Sequence, residues 1–153
     1  MMPGDASAAP VSHEVVIIGG GVVGLSTAKH LAEGTDLDVA VVEKEDHVGQ
    51  HQSGRNSGVL HPGFNYEPGS LKARFATEGT ARLKAYCREQ DIPLEEFGVV
   101  VTARRAAEVD RLHELDDQAA ENDVETRILD GNELRELEPH AAGRAALYSP
   151  EAA

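Results

Sequence analysis

The feature that most constrains the fold is a glycine-rich turn between an apolar run and an amphipathic segment. Residues 15–18 read VVII and lead directly into GGGVVG at 19–24, which has the spacing G-x-G-x-x-G. A short β-branched run is typical of a strand buried on both faces. Residues 22–33 have the periodicity of a helix that ends at Gly34, and residues 39–42 repeat the strand pattern. This order predicts a βαβ unit with a right-handed crossover.

The turn has the residues that a dinucleotide needs. Gly19 permits the tight turn, Gly21 lets a pyrophosphate approach the backbone, and Gly24 lets the helix pack close to the strand. The helix N-terminus offers N–H groups and a positive dipole end to the phosphates. Glu43, 19 residues after Gly24, is placed to bind the ribose hydroxyls, and an acid here argues against NADP. The alternative is a glycine-rich turn that binds nothing.

The glycine pattern alone does not separate FAD from NAD, but the next segment favours FAD. Residues 44–69 are rich in Gly, His, Ser, Asn and Pro, and a loop of this length inside a domain suggests function. The stretch HQSGRNSG at 51–58 offers hydroxyls and backbone amides just past the acid. Such a stretch can follow a long, extended cofactor toward its ring system.

The remaining chain alternates helices and strands. Ser70 is a predicted N-cap for a helix that continues to about residue 90, with apolar residues at every fourth position that include Cys87. Strands are predicted at 95–102, at 126–129 and from 146, and helices at 109–122 and 132–138. These strands either extend the parallel sheet or leave it incomplete. The predicted division is a disordered lead-in at 1–12, part of a cofactor domain at 13–92, and an incomplete substrate domain at 93–153.

Composition excludes several classes of function. The chain has 14 Lys+Arg and 27 Asp+Glu, a net charge of −13, which disfavours nucleic acid and acidic membrane surfaces. The single cysteine forms no internal disulfide, no Cys/His cluster has metal spacing, and no segment has the length of a membrane span. We therefore expect a cytoplasmic protein without a metal. Arginine outnumbers lysine ten to four, and the acidic excess favours a halophilic source over an ordinary acidic protein.

Four stretches together carry a resemblance to a known family. They are VVIIGGGVVGLSTAKHLAE, VAVVEKE, HQSGRNSGVLHPG and EPGSLKARF. They resemble the FAD-dependent oxidoreductases of the D-amino acid oxidase type, and within them the L-2-hydroxyglutarate dehydrogenase/oxidase group. The likeness extends from about residue 14 to residue 148. Two departures stand out: Pro62 replaces a small residue, and Asn65 stands where an aromatic residue is common.

The resemblance implies an α/β fold: a Rossmann-like FAD-binding βαβ unit followed by the start of an α+β substrate domain, truncated here. It also implies hydride transfer from a small 2-hydroxy acid, L-2-hydroxyglutarate, to the flavin. The electron acceptor stays unknown. Positions that match the family's cofactor contacts are Gly19, Gly21, Gly24, Glu43, Ser53, Asn56, Ser57 and Gly58, and Lys44 is a further candidate.

Two residues are candidates for catalysis. His61 follows the second flavin-contacting segment, and an imidazole is suited to accept the substrate's hydroxyl proton. The alternative for His61 is a loop histidine that hydrogen-bonds the backbone. Arg55 has the bidentate fork that binds a carboxylate or the pyrophosphate, or it balances nearby acids on the surface. Three classes of function remain open: a 2-hydroxyacid oxidoreductase, a flavoenzyme acting on an amine or glycerol 3-phosphate, and a nucleotide-binding fragment without turnover.

Overall fold

The computed structural model describes residues 11–153. The chain forms two compact units, and the boundary between them follows Ser57. The predicted lead-in at 1–12 therefore lies almost entirely outside the described residues. Within residues 11–153, no helix combines the length and the apolar composition that crossing a membrane requires.

The first unit is the predicted βαβ arrangement. Strand β1 (Val15–Ile18) leads through the glycine turn into helix α1 (Val22–Gly34), and strand β2 (Val39–Val42) follows. The two strands are parallel, with Val15 opposite Val39 and Ile18 opposite Val42. The pattern of apolar runs thus predicted the elements and their order correctly.

The burial of these strands differs from the prediction of strands buried on both faces and agrees with the alternative of an incomplete sheet. Residues of β1 alternate between half-buried and exposed, and Ile18 is 88% exposed. Helix α1 has no buried residue, and Val23 is 77% exposed. Within the described residues this sheet has two strands that pair with each other, so β1 has no strand partner along its other edge. An isolated two-stranded sheet is marginal in water.

The second unit is an antiparallel α+β layer. Its elements in chain order are α2 (Leu71–Glu89), β3 (Val99–Ala103), α3 (Val109–Glu121), β4 (Arg127–Asp130), α4 (Gly131–Leu137) and β5 (Ala145–Ser149). The strands lie in the order β3-β5-β4, with β5 antiparallel to both neighbours. The later strands therefore form their own sheet and do not extend the parallel one. This arrangement confirms the predicted α+β character.

The core of the second unit lies on both faces of β5. Leu147 is fully buried in the cluster that contains Leu112 and Leu115 of α3. Ala146, the next residue back, is buried with Leu129 and with Leu134 of α4 in a second cluster. Successive side chains of β5 point to opposite faces of the sheet, so this central strand contributes to a core on each face.

Helix α2 begins where the sequence predicted. The Ser70 hydroxyl accepts a hydrogen bond from the Ala73 backbone N–H at 3.1 Å, and Cys87 is buried as expected. The rest of the apolar stripe is not buried, since Leu71 is 64% and Phe75 60% exposed. Within the described residues, the helix instead buries small side chains and the stem of one lysine.

Candidate functional site

The glycine turn brings β1 and α1 into close approach. Gly19 has φ +106°, which side-chain-bearing residues rarely adopt. A Cβ at Gly24 would lie 2.0 Å from the Gly19 carbonyl oxygen, so only glycine allows the helix this near the strand. Gly21 is the N-cap of α1 and contributes no side-chain cap. The first turn of α1 therefore directs N–H groups toward the turn.

Glu43 lies immediately after β2 and reaches back to this turn. Its Oε2 accepts a hydrogen bond from the Gly20 N–H at 2.7 Å. Its Oε1 accepts from the N–H groups of Lys44 at 2.8 Å and Glu45 at 3.1 Å. These bonds, with that from Gly20 the strongest cause, lower the pKa of Glu43 and keep it ionised. A carboxylate has about four lone-pair positions, so capacity remains for ribose hydroxyls.

The segment after β2 packs against the same turn. The Gly49 N–H donates to the Gly20 carbonyl at 3.0 Å. A Cβ at Gly54 would lie 2.3 Å from the Gly49 carbonyl oxygen, so this segment folds tightly on itself. The Ser53 hydroxyl accepts a hydrogen bond from the Val22 N–H at 2.9 Å. The Ser53 hydroxyl therefore supplies the hydrogen-bond acceptor that Gly21, the N-cap residue of α1, lacks.

Asn56 closes this arrangement. Its Nδ2 donates to the carbonyl oxygens of Ser53 at 2.8 Å and Gln52 at 3.1 Å. These bonds hold the short 3-10 turn at Gln52–Gly54 together. Asn56 thus has a clear role in the geometry of the segment that carries Ser53.

A cleft of about 510 Å³ lies over the glycine turn. Its lining combines the turn, the start of α1 and the 52–56 segment: Gly19, Gly21, Val22, Val23, Gly24, Ser53 and Asn56, with Ile17, Ile18, Thr27 and Gln52 at its sides. Gly21 keeps the cleft open, because a Cβ there would lie 3.1 Å from the Ser53 hydroxyl. Backbone N–H groups, a helix N-terminus and a hydroxyl are the donors that a pyrophosphate requires. The residues present therefore fit the diphosphate portion of a dinucleotide.

Lys44 is directed to a neighbouring acid. Its Nζ lies 3.3 Å from Glu45 Oε1, and His51 Nε2 lies 2.8 Å from the same oxygen. The hydrogen bond from His51, followed by that from Lys44, lowers the pKa of Glu45. Lys44 is exposed, and the structure gives it a local ion pair. In residues 11–153, no group of three or more His, Cys, Asp or Glu side chains is arranged to hold a metal ion.

The other predicted residues lie at the division between the units or beyond it. Arg55 and Ser57 are exposed at the end of the first unit. Gly58 begins the second unit with φ +72°. The exposed side chain of His61 belongs to the second unit, where its carbonyl accepts a hydrogen bond from Thr80 Oγ1 at 2.9 Å. The first unit thus brings together Gly19, Gly21, Gly24, Glu43, Ser53 and Asn56.

The compact units group residues 58–92 with the second sheet. The reason is that this stretch is bonded to the end of the chain, with the Leu60 N–H donating to the Ala153 carbonyl at 2.7 Å. The predicted boundary after residue 92 concerns cofactor and substrate domains, and it stays a prediction.

Sequence reasoning missed several contacts that shape the site. Gly49 and Gly54 stand out in the sequence only as part of a glycine-rich loop, although their close approach fixes that loop. Their spacing of five residues, like that of Gly19 and Gly24, was the available signal. The bond between Ser53 and the start of α1 had no signal, because the two residues are 31 positions apart.

Known proteins share this arrangement. The chain matches the family described as FAD dependent oxidoreductase over residues 14–153. It is 43% identical over 140 residues to an L-2-hydroxyglutarate dehydrogenase of Indibacter alkaliphilus, covering 90% of this chain and 35% of that protein. Among solved structures it is similar to the dithionite-reduced, FAD-bound L-α-glycerophosphate oxidase of Mycoplasma pneumoniae, with TM-score 0.80 and 28% identity over 92% of this chain and 38% of the other.

A second solved structure is the glycine oxidase of Bacillus cereus, with TM-score 0.73 and 32% identity over 92% of this chain and 39% of the other. The chain thus spans about a third of the length of the relatives that it matches. The family match includes the glycine turn, Glu43 and the whole second unit. On the strength of this match and of the βαβ geometry, the chain belongs to the FAD-dependent oxidoreductase family of the D-amino acid oxidase type.

Proposed function

We propose that this chain binds FAD through its glycine turn and serves an enzyme that oxidises L-2-hydroxyglutarate to 2-oxoglutarate. The observation that supports the cofactor part is the hydrogen bond from the Gly20 N–H to Glu43, which joins the carboxylate proposed to bind the ribose to the turn proposed to bind the pyrophosphate. In this proposal the N–H groups at the start of α1 bind the diphosphate. Gly19, Gly21 and Gly24 shape the turn, and Ser53, Asn56, Ser57 and Gly58 continue the contact along the cofactor.

The substrate assignment draws its support from identity. The chain is 43% identical to a protein named L-2-hydroxyglutarate dehydrogenase, against 32% for the glycine oxidase and 28% for the glycerophosphate oxidase. The family string at 51–63 adds support. The departure at Pro62 falls on a fully buried residue, so it changes packing and no exposed contact. Asn65 is exposed and remains available to a substrate.

The chemistry requires two bonds to break at the substrate's C2 carbinol. The C2–H bond breaks as a hydride leaves with its electron pair, and the O–H bond breaks as its proton moves to a base. The C2–O bond becomes a carbonyl. FAD held at the glycine turn would supply the hydride acceptor, its N5 atom. His61 is the proposed base, and Arg55 is the proposed partner for a substrate carboxylate or for the cofactor's phosphates.

A second candidate is a flavoenzyme that acts on glycine, sarcosine, another amine or glycerol 3-phosphate. The similarity to the glycine oxidase and glycerophosphate oxidase structures favours this class. The test is anaerobic reduction of the flavin in the protein produced from its own gene, with each substrate added in turn. We expect L-2-hydroxyglutarate to bleach the visible flavin band fastest. Bleaching by an amine or by glycerol 3-phosphate, with none by the hydroxy acid, would establish the second class.

A further inference from the structure

The segment at 60–66, which we call the His61 segment, is attached at its start to two parts of the second unit. Leu60 and Ala153 exchange backbone hydrogen bonds of 2.7 and 3.4 Å. One residue on, Thr80 Oγ1 of α2 donates to the His61 carbonyl at 2.9 Å. The backbone on both sides of the Leu60–His61 peptide is therefore held by partners distant in sequence.

The far end of the His61 segment is held by α3 and the residue after it. Asn122 Nδ2 donates to the carbonyl oxygens of Tyr66 at 2.8 Å and Gly63 at 3.3 Å, and Gln118 Nε2 also donates to the Tyr66 carbonyl, at 2.7 Å. Asn122 is only 8% exposed. A buried amide has a large penalty for losing its partners, so Asn122 favours one conformation of this segment.

Between these attachments the backbone is anchored by burial. Pro62, Gly63 and Phe64 are all buried, and Phe64 belongs to the main core cluster. Gly63 has φ +95°, and a Cβ there would lie 3.0 Å from Ala76 Cβ on α2. The residues on either side, His61 and Asn65, are exposed. The segment thus presents the side chains of His61 and Asn65 from a backbone that is held in place.

We propose that Thr80 and Asn122 are positioning residues for the oxidation, which hold the His61 segment so that the imidazole is presented to the substrate in one orientation. This inference rests on the proposed function. A base that is already oriented does not lose rotational freedom during the reaction, and small displacements of such a group reduce rates strongly. Neither residue needs to touch the substrate, since each acts on a backbone carbonyl of the segment.

The test compares four variants of the FAD-loaded protein produced from its own gene, at Thr80, Thr77 and Asn122. Thr80→Val removes the hydroxyl donor at nearly constant shape, and Thr80→Ser retains it. Thr77→Val is the matched control, because the hydrogen bonds of the Thr77 hydroxyl within residues 11–153 go to the carbonyl oxygens of Ala73 and Arg74 on its own helix. Each variant is measured by amide hydrogen exchange over 60–66 and by steady-state kinetics with the substrate that reduces the wild-type flavin fastest.

We expect Thr80→Val to exchange faster over 60–66 and to lose roughly 10- to 100-fold in kcat with little change in KM or in FAD content. Thr80→Ser and Thr77→Val should keep the wild-type values. Asn122→Ala, if it folds, should show the same pattern from the other end. A wild-type protein that none of the substrates reduces would overturn the proposed function. An active wild type with undiminished kcat in Thr80→Val would overturn the positioning role alone.

Discussion

Glu43 Oε2 accepts a hydrogen bond from the Gly20 N–H at 2.7 Å, across 23 residues of chain. The bond joins the end of β2 to the turn that follows β1. The ribose and the pyrophosphate of a bound adenosine diphosphate would therefore be recognised by groups already in contact. Glu43→Gln keeps the size of the side chain but removes its charge and one acceptor oxygen.

We expect Glu43→Gln to weaken FAD binding roughly tenfold, because charge-assisted bonds to the ribose hydroxyls are lost. Titration of the apoprotein with FAD, followed by quenching of flavin fluorescence, measures the change. Glu33→Gln on the exposed end of α1 is the control and should bind as the wild type does. An unchanged affinity in Glu43→Gln would remove Glu43 from the binding site.

Gly24→Ala should destabilise the first unit. The added Cβ would lie 2.0 Å from the Gly19 carbonyl oxygen, so the helix or the strand must shift, at a cost of about 1–3 kcal/mol or more. Gly79→Ala is the matched control, since a Cβ added there would meet no atom of another element of the described chain within 4 Å and α2 is helical throughout this stretch. That substitution should stabilise by about 0.5–1 kcal/mol. Thermal unfolding by circular dichroism compares the two, and equal melting temperatures would contradict the close-approach argument.

Ser53→Ala should loosen the start of α1. The Val22 N–H loses its acceptor at 2.9 Å, and loss of a capping hydroxyl costs about 0.5–2 kcal/mol. Hydrogen exchange at Val22 and over 49–56 should accelerate, and FAD affinity should fall. Ser26→Ala, exposed within the same helix, should leave both unchanged. If the two variants behave alike, Ser53 has no special role at the turn.

His61→Gln should reduce kcat about 10²- to 10⁴-fold, the range for loss of a general base. The FAD content and the melting temperature should stay near the wild-type values, because the side chain is exposed and its backbone carbonyl still accepts from Thr80. His113→Gln, exposed on α3, is the control. A His61→Gln protein with wild-type kcat would leave His61 as an ordinary loop residue.

Acid should destabilise the second unit through Glu108. The backbone hydrogen bond from Arg105, then the side-chain bond from the same residue and the backbone bond from Arg104, lower the pKa of Glu108 from 4.5 to about 2. Because the folded pKa is the lower one, the stabilisation is complete above pH 4.5 and is lost as the pH falls toward 2. Glu108→Gln should flatten the dependence of melting temperature on pH in this window, whereas Glu114→Gln should not. Parallel curves of melting temperature against pH for the wild type and Glu108→Gln would show that Glu108 does not cause the loss of stability in acid.

The apolar runs and the glycine spacing predicted the βαβ unit. The strands and the helix are recognisable from residues close together in sequence, and the tight turn requires glycine at fixed positions within it. Ser70 likewise predicted the start of α2 through a contact three residues away. The spacing of Leu71 and Phe75 predicted the helix correctly but not their exposure, because burial depends on which elements lie opposite. The hydrogen bonds from Thr80 to His61 and from Asn122 to Tyr66 join residues that are 19 and 56 positions apart. No local sequence pattern predicts contacts at these separations.

The most direct test of the account is FAD retention by the wild type and by Gly21→Val. A valine at 21 would place its side chain toward the Ser53 hydroxyl, in the cleft where the pyrophosphate is proposed to bind. Gly34→Val, with open space around its Cβ, is the control, and circular dichroism verifies that both variants fold. We predict the flavin absorption bands in the wild type and in Gly34→Val, and their loss in a folded Gly21→Val. Full flavin occupancy in Gly21→Val would contradict the proposal that this turn binds FAD.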